Sequence, residues 1–155
     1  AVDVGYGQRA WELRQDPRVK ILDRTNIRHL TGEMVGEEID LVVADLSFIS
    51  LSLVLPALAA VSRPNADYVL MVKPQFEVGR EKLGAGGVVR DPALRRAAVL
   101  DVAEAAYDVG LGTMGIAASP LPGPAGNVEY FLWLRRGAPA IDAGDVDRAI
   151  EMGPA

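Results

Sequence analysis

The sequence predicts an α/β domain built on an open, largely parallel sheet, and three observations lead there. Short apolar runs alternate with segments of helical length along most of the chain. Those runs are continuously apolar rather than alternating, which implies strands buried on both faces, as in a doubly wound sheet. The chain has 155 residues, 50% of them hydrophobic and only 6% aromatic, enough aliphatic material for one compact core under Ala- and Leu-rich helices.

Taken in order, the strand signals are Ala1–Val4, Val19–Leu22, Leu41–Ala44, Tyr68–Val72, Met114–Ala118 and Tyr130–Leu134. Each ends in polar residues, Gly or Pro. Helical segments are read at Arg9–Arg14, Leu51–Val61 and Pro92–Val109, the last with Asp91 as N-cap and Gly110 as its stop. Pro120 to Asn127 is a Pro- and Gly-rich connection into the last strand, and Gly144–Met152 forms a short terminal helix. No repeat or long linker divides the chain, so residues 1–155 are read as one domain.

Composition excludes several classes of function. With no cysteine, disulfides, thiolate metal sites and cysteine nucleophiles are ruled out, and a reduced, cytoplasmic setting is the expectation. The longest apolar stretch, Phe48 to Val61, falls short of the roughly 20 residues of a membrane helix and is interrupted by Ser50, Ser52 and Pro56. The opening Ala1-Val2-Asp3-Val4 has no basic leader and no initiator Met, and it reads like the middle of a protein. A net charge of −5 has the wrong sign for holding a polyanion by bulk attraction, so an RNA substrate requires a helper module.

In open α/β sheets, ligands sit beyond the carboxyl ends of the strands, which makes the polar residues there the candidates. Asp3 closes the first apolar run before Gly5-Tyr6-Gly7, where a carboxylate can take both hydroxyls of a nucleoside ribose; a solvated strand-end Asp looks the same. Asp45 follows Leu41–Ala44 and precedes Leu46, as a reactive acid or as a helix cap. Lys73 emerges from Tyr68–Val72 at a proline turn, as a base or as a snorkelling surface lysine. Glu129 stands before Tyr130–Leu134, as an acid in the crevice or as an edge-strand carboxylate. Acid, base and acid at three strand mouths converge on one crevice, where a lysine held by carboxylates can orient an alcohol and take its proton. Methyl transfer to a hydroxyl is chemistry of that kind.

Four stretches then carry a resemblance. Ala44-Asp45-Leu46-Ser47-Phe48-Ile49-Ser50, Val72-Lys73-Pro74-Gln75-Phe76-Glu77-Val78-Gly79, Gly86-Gly87-Val88-Val89, and Ser119–Pro124 with Gly126–Leu134 closely resemble the TlyA family, also called hemolysin A-like, among the FtsJ-related (RrmJ-like) 2'-O-methyltransferases. The resemblance covers nearly the whole chain. It implies a Rossmann-like methyltransferase sheet using S-adenosyl-L-methionine, ribosomal RNA or ribosomal subunits as partner, and ribose 2'-O-methylation, of cytidine in particular. It also implies a Lys-Asp-Lys-Glu tetrad, of which Asp45, Lys73 and Glu129 match the last three members and the first lysine has no counterpart. That lysine, the glycine-rich cofactor loop on the first strand and an S4-like RNA-binding domain lie upstream of Ala1 in the family.

For the cofactor, Asp3 matches the ribose acid, Thr25 and Asn26 occupy the adenine loop, and Asp45 and Leu46 border the methyl donor. Phe48 is expected to stack on a flipped-out base or wall the methionine pocket, or else to lie in the core under the following helix. Arg80, Lys82 and Arg90, in the glycine-rich stretch from Glu77 to Arg90, are expected to touch RNA phosphates if the stretch is a lid and not a plain loop. His29 is read as a surface residue and no metal site is expected.

Without the family's first strand, two parallel strands are expected to face each other with unpaired backbone groups, inviting rearrangement or self-association through open edges and weakening cofactor binding. Two other readings stay open. A nicotinamide-dependent enzyme fragment uses an acid like Asp3 but leaves Lys73 and Glu129 unexplained. A membrane-active hemolysin or non-catalytic interaction fragment lacks a cationic amphipathic helix or spanning segment to act with.

Overall fold

The computed structural model describes residues 1–154. Four strands form one mixed sheet: β1 (Ile39–Ala44), β2 (Ser62–Val72), β3 (Leu111–Ala118) and β4 (Tyr130–Arg136), in the order β1-β2-β4-β3. The β1–β2 pair is parallel, and β4 runs antiparallel between β2 and β3. The carboxyl ends of β1, β2 and β3 and the start of β4 therefore share one edge of the sheet.

One face of that sheet is well covered. Tyr68, Leu70 and Val72 of β2 and Tyr130, Leu132 and Leu134 of β4 point to it, matched across the register. They pack with Val99, Val102 and Ala106 of α4 (Pro92–Asp108), Val146 of α5 (Ala143–Met152), and Leu51, Val54, Leu55 and Leu58 from the segment after β1. A fully buried aliphatic side chain contributes about 1.5–3 kcal/mol, so this cluster dominates the fold. Helix α4 begins as its sequence dictates, with the Asp91 carboxylate accepting from Ala93 N at 2.8 Å and Pro92 in the first turn, and Gly110 follows it at φ 88°.

Burial on both faces is not what the structure shows. On the second face Leu41, Val43, Phe131 and Trp133 are exposed. The short helices α1 (Trp11–Gln15) and α2 (Gly32–Val35), which come before the sheet, bury no side chain.

Several element boundaries also differ from expectation, most by two or three residues. The runs Ala1–Val4 and Val19–Leu22 reduce to one parallel bridge, Val2 to Leu22, with Asp3 N donating to Leu22 O and Leu22 N to Ala1 O; neither segment has a neighbour on its far side to extend a ladder. The helix expected over Leu51–Val61 divides into a 3-10 turn, Leu51–Leu53, and a short α3, Leu55–Ala60, because Pro56 has no N–H to donate and fits only a helix's first turn. Strand β2 reaches back to Ser62, but its pairing with β1 is irregular until Asp67, which lets Pro64 lie within it.

Between the Val2–Leu22 bridge and β1 lies a cavity of about 500 Å³, bordered by Ala1, Val2 and Leu22 on one side and Leu41, Val42, Val43 and Ala44 on the other. The cavity separates the Val2–Leu22 bridge from the exposed face of β1. Among the described residues, no helix is long and apolar enough to cross a membrane.

Candidate active site

Strand register assembles the site. Val72 lies opposite Tyr130 in the β2–β4 ladder, so one step outward Lys73 and Glu129 leave the sheet at neighbouring positions, with Ser119 N of the β3 end donating to Glu129 O at 2.8 Å. Asp45 leaves the adjacent parallel strand at the same edge, since Ala44 pairs with Leu70. Residues separated by 84 positions in sequence meet at this edge because β4 is inserted next to β2.

The Lys73 ammonium is enclosed, with 11% of its side chain exposed, and lies 2.5 Å from Asp45 Oδ1. It also donates to Ser47 Oγ at 3.1 Å. Lys73 is thus no snorkelling surface lysine, and Asp45 pairs with it; the cap of the Leu51–Leu53 turn is Ser50, which accepts from Ser52 N. Glu129 is buried on an interior strand, not an edge. Among the described residues no ion pair joins it to Lys73; its carboxylate accepts from Gln75 Nε2 at 3.0 Å. Lys73 and Glu129 line one cavity of about 1020 Å³, together with Ser47, Phe48, Gln75 and Arg80. Asp45 and Leu46 line the 500 Å³ cavity on the other side of the Asp45–Lys73 pair. The pair forms the wall between two hollows.

Phe48 marks the mouth of the larger cavity. It is 90% exposed, adopts φ 63° and packs its ring on Phe76 at 5.0 Å between centroids. It is no core residue. A non-glycine residue in the left-handed region is strained, and such strain collects where a side chain is aimed for a purpose.

A second carboxylate ties the two loops together. Glu77 accepts from Ser50 Oγ at 2.6 Å and from Leu51 N at 2.8 Å, joining the loop after β1 to the loop after β2. Burial pushes its carboxyl above the ordinary range, while the bonds from Ser50 and Leu51 pull the other way.

The stretch from Gly79 to Arg90 contains two 3-10 turns, Arg80–Lys82 and Ala85–Gly87. Buried Asn127 fastens it, accepting from Val89 N at 2.9 Å and donating to Gly87 O at 3.0 Å. Arg80 faces the larger cavity; Lys82 and Arg90 line neither, and Arg90 makes a long contact to Ala85 O.

Of the expected cofactor residues, Asp45 and Leu46 follow β1, and Asp3, Thr25 and Asn26 are spread along the N-terminal ribbon of residues 1–37. Asp3 Oδ1 accepts from Gly5 N, and Thr25 N donates to Asp3 O. The Thr25 hydroxyl donates to Asp23 O, and Asn26 caps the turn Ile27–His29 while bordering the larger cavity. Neither cavity's lining includes Asp3 or Thr25. His29 is exposed, and among the described residues no cluster of metal-binding side chains occurs. Sequence reasoning passed over Ser47, Gln75, Glu77 and Asn127. Their signal was available: each lies within or beside a stretch that holds a candidate residue.

The mixed α/β sheet carries at its carboxyl edge a largely covered lysine paired with an exposed aspartate, and comparison with known families assigns the class. The chain belongs to the FtsJ-like methyltransferase family, which matches residues 1–136. Over 159 aligned residues it is 59% identical to the 16S/23S rRNA (cytidine-2'-O)-methyltransferase TlyA of Mycobacterium tuberculosis, covering 99% of this chain and 59% of that protein. It is 34% identical to Hemolysin A of Brachyspira hyodysenteriae, covering 84% of this chain and 55% of that one. The chain thus spans little more than half the length of these relatives. A crystal structure from Lactococcus lactis named as a hemolysin superposes with a TM-score of 0.91 at 34% identity, covering 97% of this chain and 74% of that one.

Proposed function

We propose that this domain serves S-adenosyl-L-methionine-dependent methylation of ribose 2'-hydroxyls in ribosomal RNA, on cytidine. The observation that carries the proposal is the enclosed Lys73 amine between Asp45 and Ser47 on the wall of a cavity that Glu129 also lines. When bound, the sulfonium cofactor supplies an electrophilic methyl group. Lys73 orients the ribose hydroxyl and takes its proton as the oxygen is methylated, and Asp45 holds the ammonium that results. Glu129 is the third member, offering an acceptor to the hydroxyl within the same cavity. The residues fit the cofactor by their chemistry, the Asp3 carboxylate beside the Gly5 turn suiting ribose hydroxyls and Thr25 and Asn26 an adenine edge, while in this structure Asp3 and Thr25 line neither cavity, Asn26 borders the larger and Asp45 with Leu46 the smaller.

For the RNA, exposed Phe48 offers a stacking face for a base taken out of its helix, a contact worth about 1–3 kcal/mol. Arg80, Lys82 and Arg90 are the phosphate-facing cations of the Asn127-fastened loop. With a net charge of −5, bulk affinity for RNA comes from an S4-like module preceding this domain. The test is product analysis: the complete gene product, given methyl-labelled S-adenosylmethionine and ribosomal subunits, yields label in 2'-O-methylcytidine after nuclease digestion. Label on a base, heat of binding with NAD alone, or liposome leakage without methyl transfer contradicts the reading.

A further inference from the structure

We infer that Gln75 is a positioning residue for the proposed reaction, acting through Glu129; the inference rests on the catalytic reading of Glu129 given above. Gln75 occupies the 3-10 turn Pro74–Phe76 directly after Lys73. Its Nε2 spans 54 residues of sequence to reach Glu129 Oε1 at 3.0 Å. An ionised carboxylate only accepts hydrogen bonds, so it fixes which way the amide faces: the NH2 points to Glu129, and the carbonyl oxygen points away. That carbonyl oxygen is buried and has no partner among the described residues. An unpaired buried acceptor carries a penalty, and the amide keeps this orientation because its NH2 is committed to Glu129. Gln75 therefore joins the turn that follows Lys73 to the carboxylate at the start of the neighbouring strand.

A second restraint falls on the same carboxylate oxygen. A Cβ added at Gly123 would stand 2.7 Å from Glu129 Oε1, too close for either to stay in place. Glu129 is thus held between an amide donor and a bare backbone. This is a built position, whereas a carboxylate that only balanced charge would need neither restraint.

The experiment measures single-turnover methyl transfer by the complete gene product carrying Gln75→Leu, Glu129→Gln or both, with Gly123→Ala as an independent way to displace the carboxylate. Gln75→Leu should lower the rate about 10- to 100-fold while leaving KM for RNA and cofactor within about twofold. In the Glu129→Gln background the same change should lower the rate by no more than about twofold, because the group it positions is already lost. Gly123→Ala should reproduce the rate loss, again without a change in KM. A fully active Gln75→Leu protein, or a loss that multiplies in full on top of Glu129→Gln, overturns the role of Gln75 and leaves the site intact. Full activity of Glu129→Gln alone overturns the catalytic reading itself, and this inference falls with it.

Discussion

Residues 1–37 and the β2–β4–β3 body are held together by different forces. In the body, six side chains from two strands and the faces of α4 and α5 are fully or almost fully buried. In the ribbon, α1 and α2 bury nothing, Trp11 and Tyr6 lie exposed, and the organising residue is Asp23, which accepts from Arg9 at 2.6 Å, Arg14 at 2.9 Å and Gly7 N at 3.3 Å. Cation–π contacts from Arg14 and Arg24 onto Tyr6 add to this polar framework. The lesson is that the proposed proton-transfer residues stand on the apolar body, while the expected cofactor acid, Asp3, stands on a segment held by polar contacts beside a cavity.

The largest expected effect comes from the body. Leu132→Ala should cost about 2–5 kcal/mol in urea titrations, whereas Trp11→Ala should stay within about 0.5 kcal/mol; equal costs would remove the contrast. Next comes the ribbon's dependence on charge. The Arg14 guanidinium, with help from Gly7 N–H and Arg9, holds the Asp23 carboxyl below its ordinary range despite the opposing effect of desolvation. A depressed carboxyl lends stability above its unfolded pKa that is lost as pH falls through the folded one. Acid, salt or Asp23→Asn should therefore speed hydrogen exchange at the Asp3 and Leu22 amides while the amides of β2 and β4 stay protected. Unchanged exchange in the ribbon would contradict the electrostatic account.

A smaller effect is expected at Glu77, whose carboxyl is shifted upward by burial. The sign is opposite to that of Asp23: the native state holds the proton more tightly, so this group's contribution to stability declines as pH rises from about the ordinary 4.5 through the raised value. Glu77→Gln should flatten that decline while keeping an acceptor for Leu51 N, which stability curves at several pH values will show.

The same contrast governs what the sequence reveals. Local signals were legible where a residue acts on its neighbours: Asp91 caps α4, Gly110 ends it, and the apolar runs ending in Asp45 and Lys73 are strands. Contacts set by register were not. Gln75 and Glu129, or Asn127 and Gly87, meet only because β4 lies between β2 and β3. The runs Ala1–Val4 and Val19–Leu22 have strand composition, yet they pair with each other through a single bridge, and the length of a ladder is set by tertiary packing that no single run carries. The expectation that Asp45 and Glu129 both surround Lys73 was half met in contact: Asp45 touches it, and Glu129 shares its cavity through Gln75.

The most direct measurement of the central claim is the methyl-transfer rate of the complete gene product with Lys73→Met, which keeps the bulk of the side chain and removes the amine. The account predicts a loss of about 10²- to 10⁴-fold with RNA binding retained. A variant that still methylates ribose at the parental rate would show that the enclosed amine beside Asp45 is not what activates the hydroxyl.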